Sequence, residues 1–248
     1  MMKFFKRLLL ISVFLTGCGP GVLSKNTYTF CSGTNCCTGT NCGYFGLFNQ
    51  AYSFNGTSSY YALTGTSQPL TSQLTVEMFF KTSTLVVQTL FNYGTFSVQF
   101  TAAGTMTITT PTGAACITPT TSSVTGVFAD GQLHHMAANY TTALATLYID
   151  GAIAVTVANG NWSGCSISSL YIGSTSAPSS YFTGIIDEVR VSSINRYSTA
   201  FTVPYVPFPN DGNTLDLFHF DNNVSFDSYS NGGAISANAL NFVPSPHP

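Results

Sequence analysis

The scarcity of charge constrains this chain more than any other feature. Only 6% of its 248 residues are Asp, Glu, Lys or Arg, against about 25% in an average soluble domain. Helices that face water need charged residues along their outer stripe, so a helical, salt-bridged protein is excluded. Ser, Thr, Asn and Gly must supply the polar surface instead. The basic residues are Lys3, Lys6, Arg7, Lys25, Lys81, Arg190 and Arg196. No basic stripe can be assembled from them, so nucleic acid is excluded as a partner recognised by charge. Hydrophobic residues make up 44% of the chain, with 20 Phe and 13 Tyr, which is core-forming material rather than the composition of a disordered chain. The length allows one large domain or two small ones.

Three of the seven cations fall in Met1–Arg7, ahead of an apolar run from Leu8 to Leu15 and then Leu15-Thr16-Gly17-Cys18. A basic start, a short apolar stretch and small residues before a cut site form a secretory signal. The run is shorter than the ~20 residues of a membrane-spanning helix. Leu-Thr-Gly-Cys resembles the lipobox of bacterial lipoproteins, which implies a signal peptide over 1–17, cleavage before Cys18 and lipid on that residue. Buried acyl chains at about 0.8 kcal/mol per methylene would anchor the chain firmly. Gly19, where a retention signal would place Asp, implies the outer membrane of the cell envelope. The mature chain is then mildly acidic, a balance that names no partner.

Six further cysteines remain: Cys31, Cys36, Cys37, Cys42, Cys116 and Cys165. In an exported chain an even number reads as three disulfides, with 15 pairings open. The first four lie in a hexad written twice, C-x-G-T-N-C. Two small loops, Cys31–Cys36 and Cys37–Cys42, are the simplest pairing there, and Cys116 would then pair with Cys165. A Cys36–Cys37 bond would need a strained ring. A Cys₄ zinc knot is the alternative, although no C-x-x-C spacing supports it. Residues 18–43 therefore read as lipidated Cys, tether and cross-linked knot.

From Tyr44 to Phe242 the pattern is strand and turn. Leu74, Val76, Met78 and Phe80 alternate onto one face. Phe96–Phe100 alternates, turns through Thr101–Gly104, and returns at Met106–Ile108. Leu147–Ile149 and Ile153–Val157 flank Asp150-Gly151, the pair favoured in a type I′ hairpin turn. Ser169–Ile172 and Ile185–Val191 are further strands. β-Branched and aromatic residues dominate, and no 3.6-residue periodicity interrupts them. The expected architecture is all-β, a two-sheet antiparallel jelly-roll sandwich over 44–242, with 243–248 a loose tail.

Several segments in order carry a resemblance: Phe54-Asn-Gly56, Leu74–Lys81, Asp130-Gly131-Gln-Leu133-His134-His135, Leu147–Gly151, Leu170–Gly173 and Phe182–Arg190. Over about Ala51–Phe201 they resemble the laminin-G-like, concanavalin-A-like jelly rolls of bacterial surface proteins. The resemblance implies two packed antiparallel sheets, one concave, and often a structural calcium ion. Leu133 and Phe79 stand where that family usually has Trp, at positions expected in the core. A late segment, Leu215–Gly232, resembles the strand that normally opens such a domain and is expected to complete a sheet from the other end of the chain.

The same scaffold carries glycosidases that use two carboxylates about 5–5.5 Å apart. This chain has two glutamates, Glu77 and Glu188, neither in the E-x-D-x-x-E motif of those enzymes. It also lacks the H-E-x-x-H, G-x-S-x-G and phosphate-loop motifs. The expectation is a non-catalytic module. Asp187, read by strict alternation, shares a strand face with Ile185, Val189 and Val191, and a carboxylate there needs hydrogen bonds or a cation. Backbone N–H groups are one answer. Calcium, with Asp221 or Asp227 as further ligands, is the other. His134 and His135 read as strand residues on opposite faces. Trp162, in a loop near Cys165, is the first candidate for stacking on a sugar, with Tyr93 and Tyr181 beside it. The expected function is a lipid-anchored surface module that binds carbohydrate in adhesion. The alternative is a structural or protein-binding module of the envelope.

Overall fold

The structure, a computed structural model, describes residues 28–32, 35–39, 50–69, 72–112, 118–158, 162, 166–204, 206–221, 228–230 and 233–247. The chain divides into two compact units, Met1–Asn49 and Gln50–Pro248. In the first, β1 (Tyr28–Ser32) and β2 (Asn35–Gly39) form an antiparallel hairpin whose register sets Cys31 opposite Cys36 and Phe30 opposite Cys37. Cys18, Cys42, Cys116, Cys165 and Asp227 lie outside the described residues.

The second unit begins with β3 (Gln50–Asn55), β4 (Tyr60–Pro69), β5 (Gln73–Lys81), β6 (Gln88–Tyr93), β7 (Phe96–Phe100), β8 (Met106–Thr112) and β9 (Thr118–Ser123). It continues with β10 (Leu133–Thr141), β11 (Leu144–Ile149), β12 (Ala152–Ala158), β13 (Ser166–Ile172) and β14 (Thr183–Ser192). The last strands are β15 (Thr214–Phe218), β16 (Ser228–Ser230), β17 (Ala234–Asn238) and β18 (Asn241–Pro244). They assemble into two antiparallel sheets. A nine-stranded sheet runs β12-β11-β10-β5-β14-β15-β16, with β3 on β14 and β18 on β3. A seven-stranded sheet runs β17-β4-β13-β6-β7-β8-β9. The fold is the all-β jelly-roll sandwich expected from the sequence. The late segment does join a sheet, since β15 pairs with β14 and β16 with β15, and beyond it β18 pairs with β3, the first strand of the unit.

The core lies between the sheets and follows from alternation. Leu74, Val76, Met78 and Phe80 of β5 point inward with Met136, Ala138 and Tyr140 of β10, and they meet Phe91, Tyr93, Phe96, Val98 and Phe100 from the other sheet. The Asp150-Gly151 turn has both residues at positive φ, 51° and 78°, as a type I′ turn requires. Gly151 is needed twice, because a Cβ there would sit 2.0 Å from the Phe201 carbonyl oxygen.

One expectation is met in a different place and two fail. Phe79 is buried, with Leu133 partly buried against it, but outside the inter-sheet core. They pack on the outer face of the nine-stranded sheet in a small cluster with Phe208, Leu217 and Val203. The stretch 243–248 is not loose over its described part. Val243 and Pro244 belong to β18, Ser245 Oγ donates to Asp187 Oδ2 at 2.7 Å, and the His247 ring packs edge-on to Phe79 at 4.3 Å. Asp187 does not share a face with Val189 and Val191. Glu188 adopts φ 51°, and the pairing of β14 with β5 jumps from Asp187↔Phe79 to Arg190↔Glu77. One extra residue is thus inserted opposite Met78. Such a bulge resets the period-2 rule, so Asp187 and Arg190 lie together on the outer face.

Candidate functional site

The two outer faces differ in charge. None of the seven strands β4, β6, β7, β8, β9, β13 and β17 contains an Asp, Glu, Lys, Arg or His. Their inward positions fill the core, and the outward positions are mostly hydroxyl, amide or tyrosine, with Ala62 and Pro119 among them. Cross-strand register lines these up in a row: Ser236, Ala62, Tyr171, Asn92, Ser97, Thr109 and Thr121. A second row places Gln99, Thr107 and Ser123 beside it. From β4 to β9 the row crosses five inter-strand gaps, about 24 Å at the usual sheet spacing. At one end the rings of Tyr60 and Tyr171 lie 6.2 Å apart, tilted by 43°. Both residues are half-buried.

The row is held in place by its own hydrogen bonds. Gln99 Nε2 donates to Thr89 Oγ1 at 2.9 Å, Asn92 Nδ2 donates to the Gly94 carbonyl at 3.2 Å, and the hydroxyls of Thr109 and Thr121 are 2.9 Å apart. Each hydroxyl retains capacity to give or take a further bond. Chemically, the face offers neutral donors and acceptors around a pair of aromatic rings, with nothing that attracts an ion.

The outer face of the nine-stranded sheet is polar too, but it is covered. Glu77 is fully buried and is the hub. Its Oε1 accepts from Arg190 Nε and Nη2, both at 2.7 Å, with Arg196 Nε 3.7 Å away, and its Oε2 accepts from Tyr197 Oη at 2.6 Å, with His135 Nε2 at 3.6 Å. Burial would raise its pKa, yet His135, Arg190 and Tyr197 outweigh burial and hold it below the usual value. The segment after β14 lies over this hub. Thr75 Oγ1 donates to the Ile194 carbonyl, Tyr148 Oη to that of Tyr197, and Arg190 caps the Phe208 ring at 4.6 Å. Arg196 and Asp211 form a two-pronged pair at 2.9 Å, which keeps Asp211 well below the usual carboxylate range. Glu188, its pKa raised by burial, accepts from the Phe208 N–H and contacts His219 Nδ1 at 2.7 Å. Both glutamates of the chain are therefore committed to buried networks that fasten a loop. Sequence reasoning missed this hub. Its signal was Glu77 on β5 opposite the Leu74–Phe80 face, a position that ordinarily meets water.

Among the residues expected to touch ligand, Trp162 is fully buried. Its Nε1 donates to the Thr141 carbonyl at 2.6 Å, and its ring meets Phe96 edge-on at 5.2 Å. Tyr93 is fully buried as well, and desolvation pushes its hydroxyl pKa up. Neither offers a ring face to a sugar, so both are corrected to core residues. Their aromatic surface is worth more inside than on a rim. Tyr181 is half-buried on the loop between β13 and β14.

Asp187 is buried as expected, but it finds its partners within the protein. Oδ1 accepts from the Glu188 N–H at 2.9 Å and Oδ2 from Ser245. Burial, with the nearby charges of Glu188 and Asp221, pushes its pKa up to about 8. Burial likewise drops His247 to about 4, so burial disfavours charge on both partners of their 3.7 Å contact. Asp221 Oδ1 accepts from the Gln50 N–H at 2.7 Å. Among the described residues no group of three or more His, Cys, Asp or Glu is arranged to hold a metal. Both Asp187 oxygens thus accept a hydrogen bond from within the protein, and Asp227, one of the carboxylates expected beside it, lies outside the described residues. His134, on β10, bridges Asp150 at 2.7 Å and Asp130 at 3.1 Å, fastening two turns together.

Comparison with known proteins agrees with this geometry. A profile of laminin G type, described as the concanavalin A-like lectin/glucanases superfamily, matches residues 55–202. The chain belongs to this family. No curated protein matches it. Among solved structures, this laminin-G-like chain is similar to a heptameric SAP-like pentraxin of Limulus polyphemus, with TM-score 0.54 and 14% identity over 80% of this chain and 96% of that one. It is also similar to a Bacteroides ovatus protein named for carbohydrate binding, with TM-score 0.54 and 15% identity over 87% and 70%. Domains LG4-5 of the mouse laminin α1 chain align at TM-score 0.50 and 14% identity over 75% of this chain and 46% of that one. At these identities the likeness is one of fold.

Proposed function

We propose that this protein is a lipid-anchored bacterial surface module that binds neutral carbohydrate, without catalysis, on the outer face of its seven-stranded sheet. The observation that carries the reading is the absence of any charged residue from seven strands that together present hydroxyls, amides and a tyrosine pair. A neutral glycan needs hydroxyl-to-hydroxyl and hydroxyl-to-amide bonds, with an aromatic ring for the apolar face of a sugar. The length of the row suits an extended oligosaccharide better than a single sugar. The Bacteroides ovatus neighbour is consistent with this use of the fold. Anchoring rests on Leu15-Thr16-Gly17-Cys18, which would tether the mature chain to the envelope through Cys18. The buried roles of Glu77 and Glu188 support the non-catalytic reading.

A glycan array on the mature chain tests the proposal, with Tyr171→Ala and Trp162→Phe beside wild type. Binding to neutral glycans should weaken about tenfold or more in Tyr171→Ala, as for a truncated aromatic anchor, and persist in Trp162→Phe. Binding of charged glycans alone, or neutral binding indifferent to Tyr171, would overturn it. Intact mass of the native protein should show acyl chains on Cys18, and a mature N-terminus elsewhere would end the anchoring proposal.

A further inference from the structure

Strand β12 ends the nine-stranded sheet, and among the described residues no strand pairs with its far side. An exposed edge of this kind is ordinarily blunted by a charge, a proline or extreme shortness, because its free N–H and C=O groups template another strand. The other edges show such devices or are differently built. β9 carries the exposed Pro119, and β16 has three residues. β17, Ala-Ile-Ser-Ala-Asn, continues directly into β18 on the other sheet. β12, Ala-Ile-Ala-Val-Thr-Val-Ala, has neither charge nor proline over seven residues.

Its sequence also carries a symmetry. Ala154-Val155-Thr156-Val157-Ala158 reads identically in both directions. The pairing of β12 with β11 is regular from Val155 to Ala158, and Ala154 lies in the register shift between Ile153 and Val155. Val155 and Val157 lie on the core side, partly buried at the margin of the main cluster, and Thr156 lies on the outer side with its hydroxyl 3.3 Å from that of Thr146. An antiparallel strand of the same sequence, centred on Thr156, therefore matches Val155, Thr156 and Val157 face for face. Val155 falls opposite Val157 of the second copy and Thr156 opposite itself.

We propose that two copies of this chain pair through β12 about a two-fold axis at Thr156, joining their nine-stranded sheets into one continuous sheet. The half-buried valines of each core margin are then covered by those of the other copy, and the Thr146–Thr156 pair extends into a ladder of four hydroxyls. Hydroxyl and β-branched pairs are the favourable cross-strand neighbours, and an isologous two-fold contact closes without forming a fibre. The seven-stranded sheets stay outside the contact, so each dimer would display two uncharged faces.

Sedimentation velocity of the full chain over a concentration series tests this. A reversible dimer is expected. Thr156→Lys sets two ammonium groups directly opposite each other and should raise the dissociation constant about tenfold or more, with the strand spectrum unchanged. Thr156→Cys should yield a covalent dimer on air oxidation, joined 156 to 156 by peptide mapping, because residues opposed on paired strands lie within disulfide reach. Ser123→Cys on β9 should give no such link. A monomer throughout, with no link through position 156, would overturn the proposal. So would a dimer that neither substitution affects.

Discussion

Replacing Asp187 with Asn should stabilise this protein, and the gain should grow with pH. Asp187 is 1% exposed and its pKa is pushed up to about 8 by burial, with the charges of Glu188 and Asp221 adding to it. An unfolded Asp titrates near 3.9. Between those values the folded state holds a proton that the unfolded state has lost, so stability is highest on the acid side and falls as pH rises. The slope is about 1.36 kcal/mol per pH unit, so wild type should lose up to about 2.7 kcal/mol between pH 5 and pH 7 through this group alone. In a domain of this size that corresponds to roughly 5–10 °C in Tm. Asparagine mimics the neutral acid. Its oxygen can accept from the Glu188 N–H, and the Ser245 hydroxyl can reverse to accept from its amide. Calorimetry of both proteins at pH 5, 6, 7 and 8 should show the Tm gap in favour of Asp187→Asn widening steadily. A constant or narrowing gap would refute the reasoning. An Asn variant that melts lower, and that loses a calcium-dependent rise seen in wild type, would restore Asp187 as a metal ligand.

Two further substitutions probe the scaffold. Glu77→Gln removes the charge that neutralises Arg190 in a buried site and should cost about 3–5 kcal/mol, read as a lower denaturation midpoint with an unchanged denaturant slope. A loss within the error of the midpoint would show that the hub does not fasten the loop after β14. Trp162→Ala should cost about 3–5 kcal/mol as a buried aromatic deletion, again by denaturant melt, and a near-neutral result would place the ring outside the packed core.

Much of the fold was readable from local pattern. Alternation in Leu74–Phe80 and Phe96–Phe100 marks strands and their inward faces, and Asp150-Gly151 marks a hairpin. What alternation could not foresee was an insertion. Nothing in Ile-Ile-Asp-Glu-Val-Arg-Val announces that Glu188 adopts a left-handed backbone, a conformation that costs a non-glycine residue and is held here by the surrounding network. That one bulge moves Asp187 to the outer face and sets Arg190 against Glu77. Trp162 was misread for a related reason. A loop position suggests exposure, but the Thr141 carbonyl offers its N–H a partner inside. The candidate face was hidden in a different way. Each of its strands is visibly free of charge, yet sequence does not say which strands share a sheet. Only the register of β4, β13, β6, β7, β8 and β9 turns scattered Ser, Thr and Asn into a row.

Neutral carbohydrate lying along that row would be seen in threonine methyl spectra. The oligosaccharide bound most tightly on the array would be titrated into the mature chain carrying labelled threonine. The resonances of Thr107, Thr109 and Thr121 should move together. Those of Thr75 and Thr214, buried under the loop on the opposite sheet, should stay fixed. Movement of Thr75 or Thr214 with the seven-stranded face silent would assign binding to the other sheet instead.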